Sequence, residues 1–244
     1  MTSSSSLISL QDVSYMPGGA DVLRGITFDS NERRIGVVGR NGSGKTSLAR
    51  IMAGLVAPDG GQVRIAGVDV ARDRKAALAV VGILFQNPDH QIIFPTVEEE
   101  IAFGLRQMGQ SAEVAAAGVA AILLQFGKTH WAQAPIVQLS QGQRQLVCLM
   151  SVLAMRPRVI ILDEPFAGLD IPTTQQLARV LEGLKGVTLV LITHQPSVLQ
   201  GYDRVLWVEE GRIAQDGPVA EVLPAFETQM AALGGGDDLS DLPG

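Results

Sequence analysis

The stretch Gly39-Arg40-Asn41-Gly42-Ser43-Gly44-Lys45-Thr46 decides the fold of this 244-residue chain. It fits the pattern G-x-x-x-x-G-K-[ST], in which a glycine-rich turn between a strand and a helix holds phosphate groups. The apolar run 34–38 before it predicts the strand, and residues 46–53 predict the helix. An ordinary glycine-rich turn is the alternative, but it does not account for the full spacing in this context.

The chemistry of such a loop follows from its backbone. Glycines let the chain wrap closely, so that successive N–H groups and the helix N-terminus create positive potential where phosphates bind. We expect Lys45 to reach the β- and γ-phosphates and the Thr46 hydroxyl to ligate Mg²⁺, a cation that prefers oxygen. The predicted phosphate-binding residues are Gly39, Arg40, Asn41, Gly42, Ser43, Gly44, Lys45, Thr46 and Ser47.

Two adjacent acids follow the apolar run 159–162 further along the chain. Asp163 is predicted to hold magnesium through water, and Glu164 to polarise the water that attacks the terminal phosphate. Acids at the end of a strand also cap the next helix, and taken alone they favour neither interpretation. Their place after a phosphate loop favours the catalytic one.

The composition describes a folded globular protein. Hydrophobic residues make up 46% of the chain and the mean hydropathy is +0.23. No apolar run approaches the roughly 20 residues of a membrane-spanning helix, and the first residues do not resemble a secretory signal, so we expect a cytosolic location. A net charge of -6 argues against nucleic-acid binding by phosphate neutralisation. The single cysteine, Cys148, lies in an apolar run that predicts burial.

Short β-rich runs alternate with helical patterns along the sequence. This alternation is typical of an α/β protein with a largely parallel sheet, and the early runs predict an antiparallel portion. The runs that end at residues 38, 163 and 193 are each followed by polar chemistry. Because ligands gather at the carboxyl ends of parallel strands, these three ends are expected to form one site.

The domain prediction has three parts. Residues 1–232 form one domain, and within it residues of about 86–157, which include a helical pattern over 111–126, form an inserted helical subdomain. Residues 233–244 are glycine-rich and acidic, which predicts a flexible tail without chemistry.

The segment Leu139-Ser140-Gln141-Gly142-Gln143 precedes an amphipathic helical pattern. Ser140 with Gln143 three residues later is the pattern of a capping box at a helix start. A serine hydroxyl, a glycine and a helix N-terminus also make a small anion site. The two interpretations are compatible, and the sequence supports both.

This segment resembles the LSGGQ signature of ABC ATPases, with Gln141 in place of the first glycine. The resemblance covers about residues 7–223, nearly the whole chain. It implies a RecA-like P-loop NTPase fold. Other elements stand in the family's order, namely Tyr15 as the adenine-stacking aromatic, Gln86 after a strand, Ala167-Gly168-Leu169-Asp170 after the acids, and His194 after a further strand.

The resemblance implies ATP as substrate and Mg²⁺ as cofactor. It implies that Gln86 helps to ligate magnesium and senses the γ-phosphate, and that His194 positions the attacking water with Glu164. Asp170 is expected at a dimer interface. In this family the signature completes the site of the opposite subunit, so the resemblance also implies a second ATPase copy, with a homodimer as the expected form. The residues expected on ATP from the signature side are Ser140, Gln141, Gly142, Gln143 and Asp170.

The stretch 85–104 resembles the corresponding region of energy-coupling-factor ATPases, and among these the biotin type, followed by cobalt and nickel types. The resemblance implies a peripheral subunit at the cytoplasmic face of the membrane, with an integral-membrane coupling protein and a substrate-binding membrane protein as partners. The apolar trio Ile92, Ile93 and Phe94 is expected to be exposed and to form the socket for the coupling protein, with Asp89 and Gln91 near its rim.

Two other functions remain as alternatives. A soluble ABC ATPase acting on nucleic acid or ribosomes would show tandem domains, a coiled-coil insertion or a basic face, and the sequence shows none of these. A P-loop kinase of a small metabolite would leave the signature, Asp170 and His194 without a purpose.

Overall fold

The computed structural model describes residues 6–234. Its centre is a six-stranded sheet with the order β10-β9-β3-β8-β7-β6. The first five strands of this sheet along the chain are parallel, and β10 is antiparallel to β9. The strand bounds are β3 Arg34–Val38, β6 Val81–Leu84, β7 Val159–Asp163, β8 Thr188–Ile192, β9 Arg204–Glu209 and β10 Arg212–Pro218.

A second sheet confirms the predicted antiparallel portion. It has the order β2-β1-β4-β5, and its strands are β1 Ile8–Tyr15, β2 Leu23–Ser30, β4 Gly60–Ile65 and β5 Val68–Asp69. Helix α1, Lys45–Met52, shares a hydrophobic core with both sheets. The phosphate loop is therefore anchored between two sheets, because it leads from β3 into α1.

The register of the parallel strands brings their carboxyl ends level with one another. Leu84 of β6 lies opposite Leu162 of β7, Asp163 lies opposite Ile192 of β8, and Val37 of β3 also lies opposite Ile192. All residues of β7 and β8 are buried, as expected for strands covered on both faces. The polar residues that follow these strands consequently meet at one edge.

Three helices between β6 and β7 form a helical unit with its own core. They are α3 Val97–Gln107, α4 Ala112–Gln125 and α5 Gln141–Ala154. The predicted helix at 111–126 is confirmed, with Ser111 as the N-cap whose side chain accepts a hydrogen bond from the Val114 N–H. The bounds of the inserted subdomain stay a prediction.

Helix α5 belongs to two cores at once. Val147 and Met150 pack in the core of the helical unit, whereas Leu149 and Val152 pack with the central sheet. Cys148 also packs with the sheet and is fully buried, and this burial raises the pKa of its thiol far above the usual range. A displacement of α5 must therefore be shared by the sheet and the helical unit.

Three more helices complete the fold, namely α2 Arg74–Val80, α6 Ile171–Gly183 and α7 Val219–Gly234. The predicted tail begins at residue 233, and residues 233 and 234 belong to α7. The boundary between domain and tail stays a prediction. Residues 235–244 of the predicted tail lie outside the described residues. Across 6–234, no helix is both long enough and apolar enough to cross a membrane.

Candidate functional site

The phosphate loop requires glycine at its two ends. Gly39 has φ 154°, and a side-chain Cβ there would lie 2.1 Å from the carbonyl oxygen of Val208. Gly44 has φ 103°, and its Cβ would lie 2.8 Å from the carbonyl oxygen of Val22. The backbone of the loop is thus pressed against neighbouring backbone at both ends. Substitution at either place would push the loop out of position.

Lys45 lies across the inside of this loop. Its Nζ donates hydrogen bonds to the carbonyl oxygens of Gly39 at 2.8 Å and Arg40 at 2.7 Å. Burial lowers the pKa of the Lys45 ammonium, while the carboxylates of Glu164 and Asp163 oppose this shift. A phosphate in the loop would give the ammonium a charged partner in place of neutral carbonyls.

Ser43 provides an observation specific to this loop. Its hydroxyl is buried and has no hydrogen-bond partner among the described residues. A buried polar group without a partner is uncommon in folded proteins, because it loses its hydrogen bonds to water without gaining any within the protein. An anion held by the loop would supply an acceptor for this hydroxyl.

The loop opens into a cleft of about 580 Å³ at the carboxyl edge of the central sheet. Residues that follow β3, β7 and β8 meet there, as the sequence predicted from those three strand ends, and Gln86 after β6 joins them. The lining residues are Val22, Asn41, Gly42, Gly44, Lys45, Thr46, Ser47, Gln86, Glu164 and His194. The structure therefore gathers all three predicted catalytic residues around the phosphate loop.

Glu164 and His194 are in direct contact. The Nδ1 of His194 lies 2.7 Å from Oε2 of Glu164, while half of the histidine side chain remains exposed. The Glu164 backbone has φ 50°, a left-handed conformation that costs on the order of 1 kcal/mol outside glycine. A hydrogen bond from its N–H to the Ile192 carbonyl oxygen, 3.0 Å, holds it there. This turn aims the carboxylate into the cleft.

Thr46 and Asp163 offer oxygen atoms for a cation. Thr46 Oγ1 donates to Asp163 Oδ1 at 3.4 Å. Burial raises the pKa of the Asp163 carboxyl, although the Thr46 hydrogen bond opposes the shift and Glu164 adds to it. Within the described part of the chain, no three His, Cys, Asp or Glu side chains cluster to hold a metal. One hydroxyl and one carboxylate suit Mg²⁺, which shares its remaining positions with water and substrate phosphates.

The predicted signature residues lie elsewhere. Ser140 is the N-cap of α5 and forms the expected capping box with Gln143. Ser140, Gly142 and Gln143 border a separate cavity of about 220 Å³, and none of them lines the cleft of the phosphate loop. The capping interpretation is confirmed, and an anion site here stays a prediction.

Gln141, which departs from the signature pattern, contacts its own chain. Its Nε2 donates to the Ala167 carbonyl oxygen at 3.3 Å, beside Gly168. Asp170 is the N-cap of α6 and accepts a hydrogen bond from the Thr173 N–H at 2.9 Å. Hydrogen bonding by the Thr173 side chain, and next by its backbone N–H, lowers the pKa of the exposed Asp170 carboxyl. The signature and the segment 167–170 thus form one connected edge of the molecule.

Tyr15, predicted to stack on adenine, does not line the cleft. It is half-buried and packs against the core between the two sheets. Val22 lines the cleft instead, and its N–H donates to the Tyr15 carbonyl oxygen at 2.9 Å. The sequence could not have identified Val22 as a residue of the cleft, because a single valine in a loop belongs to no recognisable motif. Stacking by Tyr15 stays a prediction.

The expected exposure of the apolar trio was wrong for two of its three members. Ile92 is half-buried and packs against two cores, and Phe94 is half-buried with its ring 5.1 Å from that of Phe103. Ile93 alone is strongly exposed, at 68%. Glu100 and Phe103 of α3 contact the end of this segment, and Ile92 packs into two cores, which a local pattern does not show.

Together, the phosphate loop, the acid pair and the doubly covered parallel sheet define a P-loop enzyme that binds and hydrolyses a nucleoside triphosphate. The profile of the ABC transporter family matches residues 23–167, and the chain belongs to this family as one of its ATP-hydrolysing ATPases.

Individual relatives refine the comparison. The chain is 52% identical to the biotin transport ATP-binding protein BioM of Rhodobacter capsulatus, over 93% of this chain and 96% of that protein. It is 36% identical to the energy-coupling factor transporter ATP-binding protein EcfA of Methanocaldococcus jannaschii, over 87% and 78%. The structure of CbiO1 from Clostridium perfringens, part of the ABC transporter complex CbiONQ, superimposes with a TM-score of 0.77 at 28% identity, covering 93% of this chain and 94% of that chain.

Proposed function

We propose that this chain is the ATPase of an energy-coupling-factor importer and works as a pair of identical copies. The single observation that carries the pairing is the separation of two half-sites. The phosphate loop opens into one cleft, whereas Ser140 borders another, so one chain does not place the signature on its own nucleotide. A second copy in the opposite orientation supplies the missing half to each cleft.

Each residue has a task in the proposed reaction. The loop N–H groups and Lys45 bind the β- and γ-phosphates of ATP, and Ser140 from the second copy closes on the γ-phosphate. Glu164 orients the attacking water and accepts its proton, while His194 holds the Glu164 carboxylate and faces the terminal phosphate. Gln86 approaches from the end of β6 as the sensor of that phosphate.

Thr46 and Asp163, with Gln86, would hold Mg²⁺, which when bound neutralises charge that develops on the phosphates. The pair Thr46 and Asp163 is already in contact through a hydrogen bond. The Asp163 carboxylate is buried, so a cation would compensate for its lost hydration.

The proposed partners are an integral-membrane coupling protein and a substrate-binding membrane protein, which place this subunit at the cytoplasmic face of the membrane. The exposed side chain of Ile93, close to the γ-phosphate sensor in sequence, is the proposed contact with the coupling protein. Biotin is the proposed cargo, and the identity to a biotin transport ATP-binding protein supports it over cobalt or nickel. Uptake of labelled biotin and of nickel, in cells with and without this chain, tests the cargo directly.

The pairing is tested by complementation between two inactive variants. Lys45→Ala removes the phosphate ligand, whereas Ser140→Asp keeps an N-cap residue for α5 but places a carboxylate against the γ-phosphate. Each variant alone has no intact site. A mixed pair has one intact site, so an equal mixture should regain ATP-dependent association and at most about a quarter of the parent ATPase rate.

The two variants measured separately are the controls for residual activity. A mixture that is as inactive as its components would show that each site is built within one chain. That outcome would overturn the proposed pairing.

A further inference from the structure

The segment from Phe85 to Phe94 connects the central sheet to α3 and carries Gln86. One side chain of α5 holds the beginning of this segment. Gln145 Nε2 donates to the Phe85 carbonyl oxygen at 3.0 Å, and Gln145 is only 1% exposed. The residue bonded to Gln145 is therefore the one immediately before the γ-phosphate sensor.

The neighbouring residue on α5 makes a second connection. Arg144 Nε forms an ion pair with Asp89 Oδ1 at 3.1 Å without the alignment of a hydrogen bond, and Arg144 Nη1 donates to the Leu139 carbonyl oxygen at 3.0 Å. Leu139 directly precedes Ser140. The arginine thus joins the sensor segment to the turn that presents the signature serine.

The far end of the segment is also held by the helical unit. Oε2 of Glu100 on α3 accepts hydrogen bonds from the Ile93 N–H at 2.9 Å and the Phe94 N–H at 3.0 Å. Glu100 is 5% exposed, so these bonds are shielded from water. Both ends of the sensor segment are fixed to the helical unit, and Gln86 lies between the fixed points.

We infer that Asp89, Arg144 and Gln145 form a clasp that couples Gln86 to Ser140. They are positioning residues, because none of the three lines the cleft. When Gln86 moves toward a γ-phosphate in its own cleft, the clasp moves the start of α5, and with it the serine that closes the second copy's cleft. The inference rests on the pairing under the proposed function.

Two features of the structure support the coupling. Breaking the buried Gln145 hydrogen bond would leave a polar group without a partner and away from water, which is unfavourable. Because α5 packs in two cores, its start moves with the whole helix. A shift of the sensor segment is therefore cheaper with the clasp intact than with the clasp broken.

The test uses the full chain carrying Glu164→Gln, in which hydrolysis is blocked, and adds Asp89→Ala, Arg144→Ala or both. Asp89 is the more informative position, because its side chain is 60% exposed and its removal leaves the Arg144 bond to Leu139 in place. Two quantities are measured, namely the affinity of the monomer for a fluorescent ATP analogue and the ATP concentration that gives half-maximal dimer.

We expect the monomer affinity to stay within about 2-fold of the parent in both single variants. The half-dimer ATP concentration should rise about 2- to 5-fold in Asp89→Ala, the size of one partly exposed ion pair, and at least as much in Arg144→Ala, which also loses the bond to Leu139. The double variant should show no further rise, since the two residues act as one pair. Arg72→Ala is the control, because exposed Arg72 forms an ion pair with Asp69 of β5, and both residues lie outside the sensor segment and α5. It should leave both quantities unchanged.

Three outcomes are decisive. Parent-like dimer formation by Asp89→Ala would overturn the clasp, and so would an equal loss of monomer affinity, which indicates a merely structural role. If the Glu164→Gln parent itself stays monomeric with ATP, the pairing under the proposed function fails first, and the clasp loses its basis with it.

Discussion

The two halves of the proposed ATP site differ in how complete they are within one chain. On the phosphate-loop side, Lys45 of the loop and Asp163 at the end of β7 are buried ionisable groups. Loop carbonyls hold Lys45, and Thr46 donates to Asp163. On the signature side, Ser140 and Asp170 are exposed N-caps, and within residues 6–234 their side chains bond to the first turns of their own helices. The first half is organised for phosphate before ATP arrives. In the second half, these residues cap helices within their own chain. Under our proposal, they contact ATP only when a second copy of the chain is bound.

The largest effect is expected from a substitution that removes the catalytic base while leaving both halves of the site in place. Glu164→Gln keeps the side-chain size and the contact with His194 but removes the general base. We expect ATP hydrolysis to fall about 10²- to 10⁴-fold, since that is the usual contribution of such a base. ATP binding should be retained and a closed dimer should accumulate, as measured by phosphate release and by size-exclusion chromatography with ATP.

The matched control is His194→Ala, which removes the partner but leaves the Glu164 carboxylate. It should reduce hydrolysis less than Glu164→Gln does. Unchanged turnover in Glu164→Gln would show that another group is the base.

A smaller effect is expected where the signature departs from its family. Gln141→Met keeps the length of the side chain and a good helix former but removes the donor to Ala167. One exposed hydrogen bond contributes about 0.5–1.5 kcal/mol, so the ATP concentration for half-maximal dimer should rise about 2- to 10-fold. Dimerisation is measured by light scattering against the parent chain.

Gln141→Gly gives a useful comparison, because it restores the family's glycine but also frees the backbone at the start of α5. If Gln141→Met associates as readily as the parent, the bond to Ala167 does not support the signature edge.

The smallest expected effect is on the thermal stability of the chain without ATP, and it arises from Asp163 on the phosphate-loop side. Burial raises the pKa of Asp163 above its unfolded value of 3.8, so the folded chain binds a proton more tightly than the unfolded one. The contribution of Asp163 to the free energy of unfolding is therefore greatest below pH 3.8 and is lost as the pH rises through the raised pKa of the folded state. At neutral pH, the ionised Asp163 carboxylate therefore destabilises the folded chain, and Asp163→Asn removes this destabilisation.

We expect Asp163→Asn to raise the Tm of the nucleotide-free chain by about 2–4 °C at pH 7, which corresponds to about 1 kcal/mol in a chain of this size. The gain should disappear below about pH 4. Calorimetry with a chelator present measures it. A Tm at pH 7 that is lower than the parent value would contradict the prediction.

The sequence predicted the central elements of the fold because their signals are local. The loop 39–46 and the acids at 163 and 164 lie directly after apolar strands, and parallel register then brings them together. The sequence did not predict that Val22 would line the cleft, or that Ile92 and Phe94 would be half-buried. These outcomes depend on which elements cover one another, which short patterns do not contain.

The amino-acid sequence alone determined the phosphate loop, the alternating α/β order and the signature that marks the ABC family. Each of these needs only residues that are close together along the chain. Tertiary structure decided that the signature stands apart from the loop, that Glu164 adopts a left-handed turn beside His194, and that Arg144 and Gln145 hold the sensor segment. Those features join residues separated by tens of positions. Their geometry is set by how α5 and the sheet share a core, and only the folded chain fixes that arrangement.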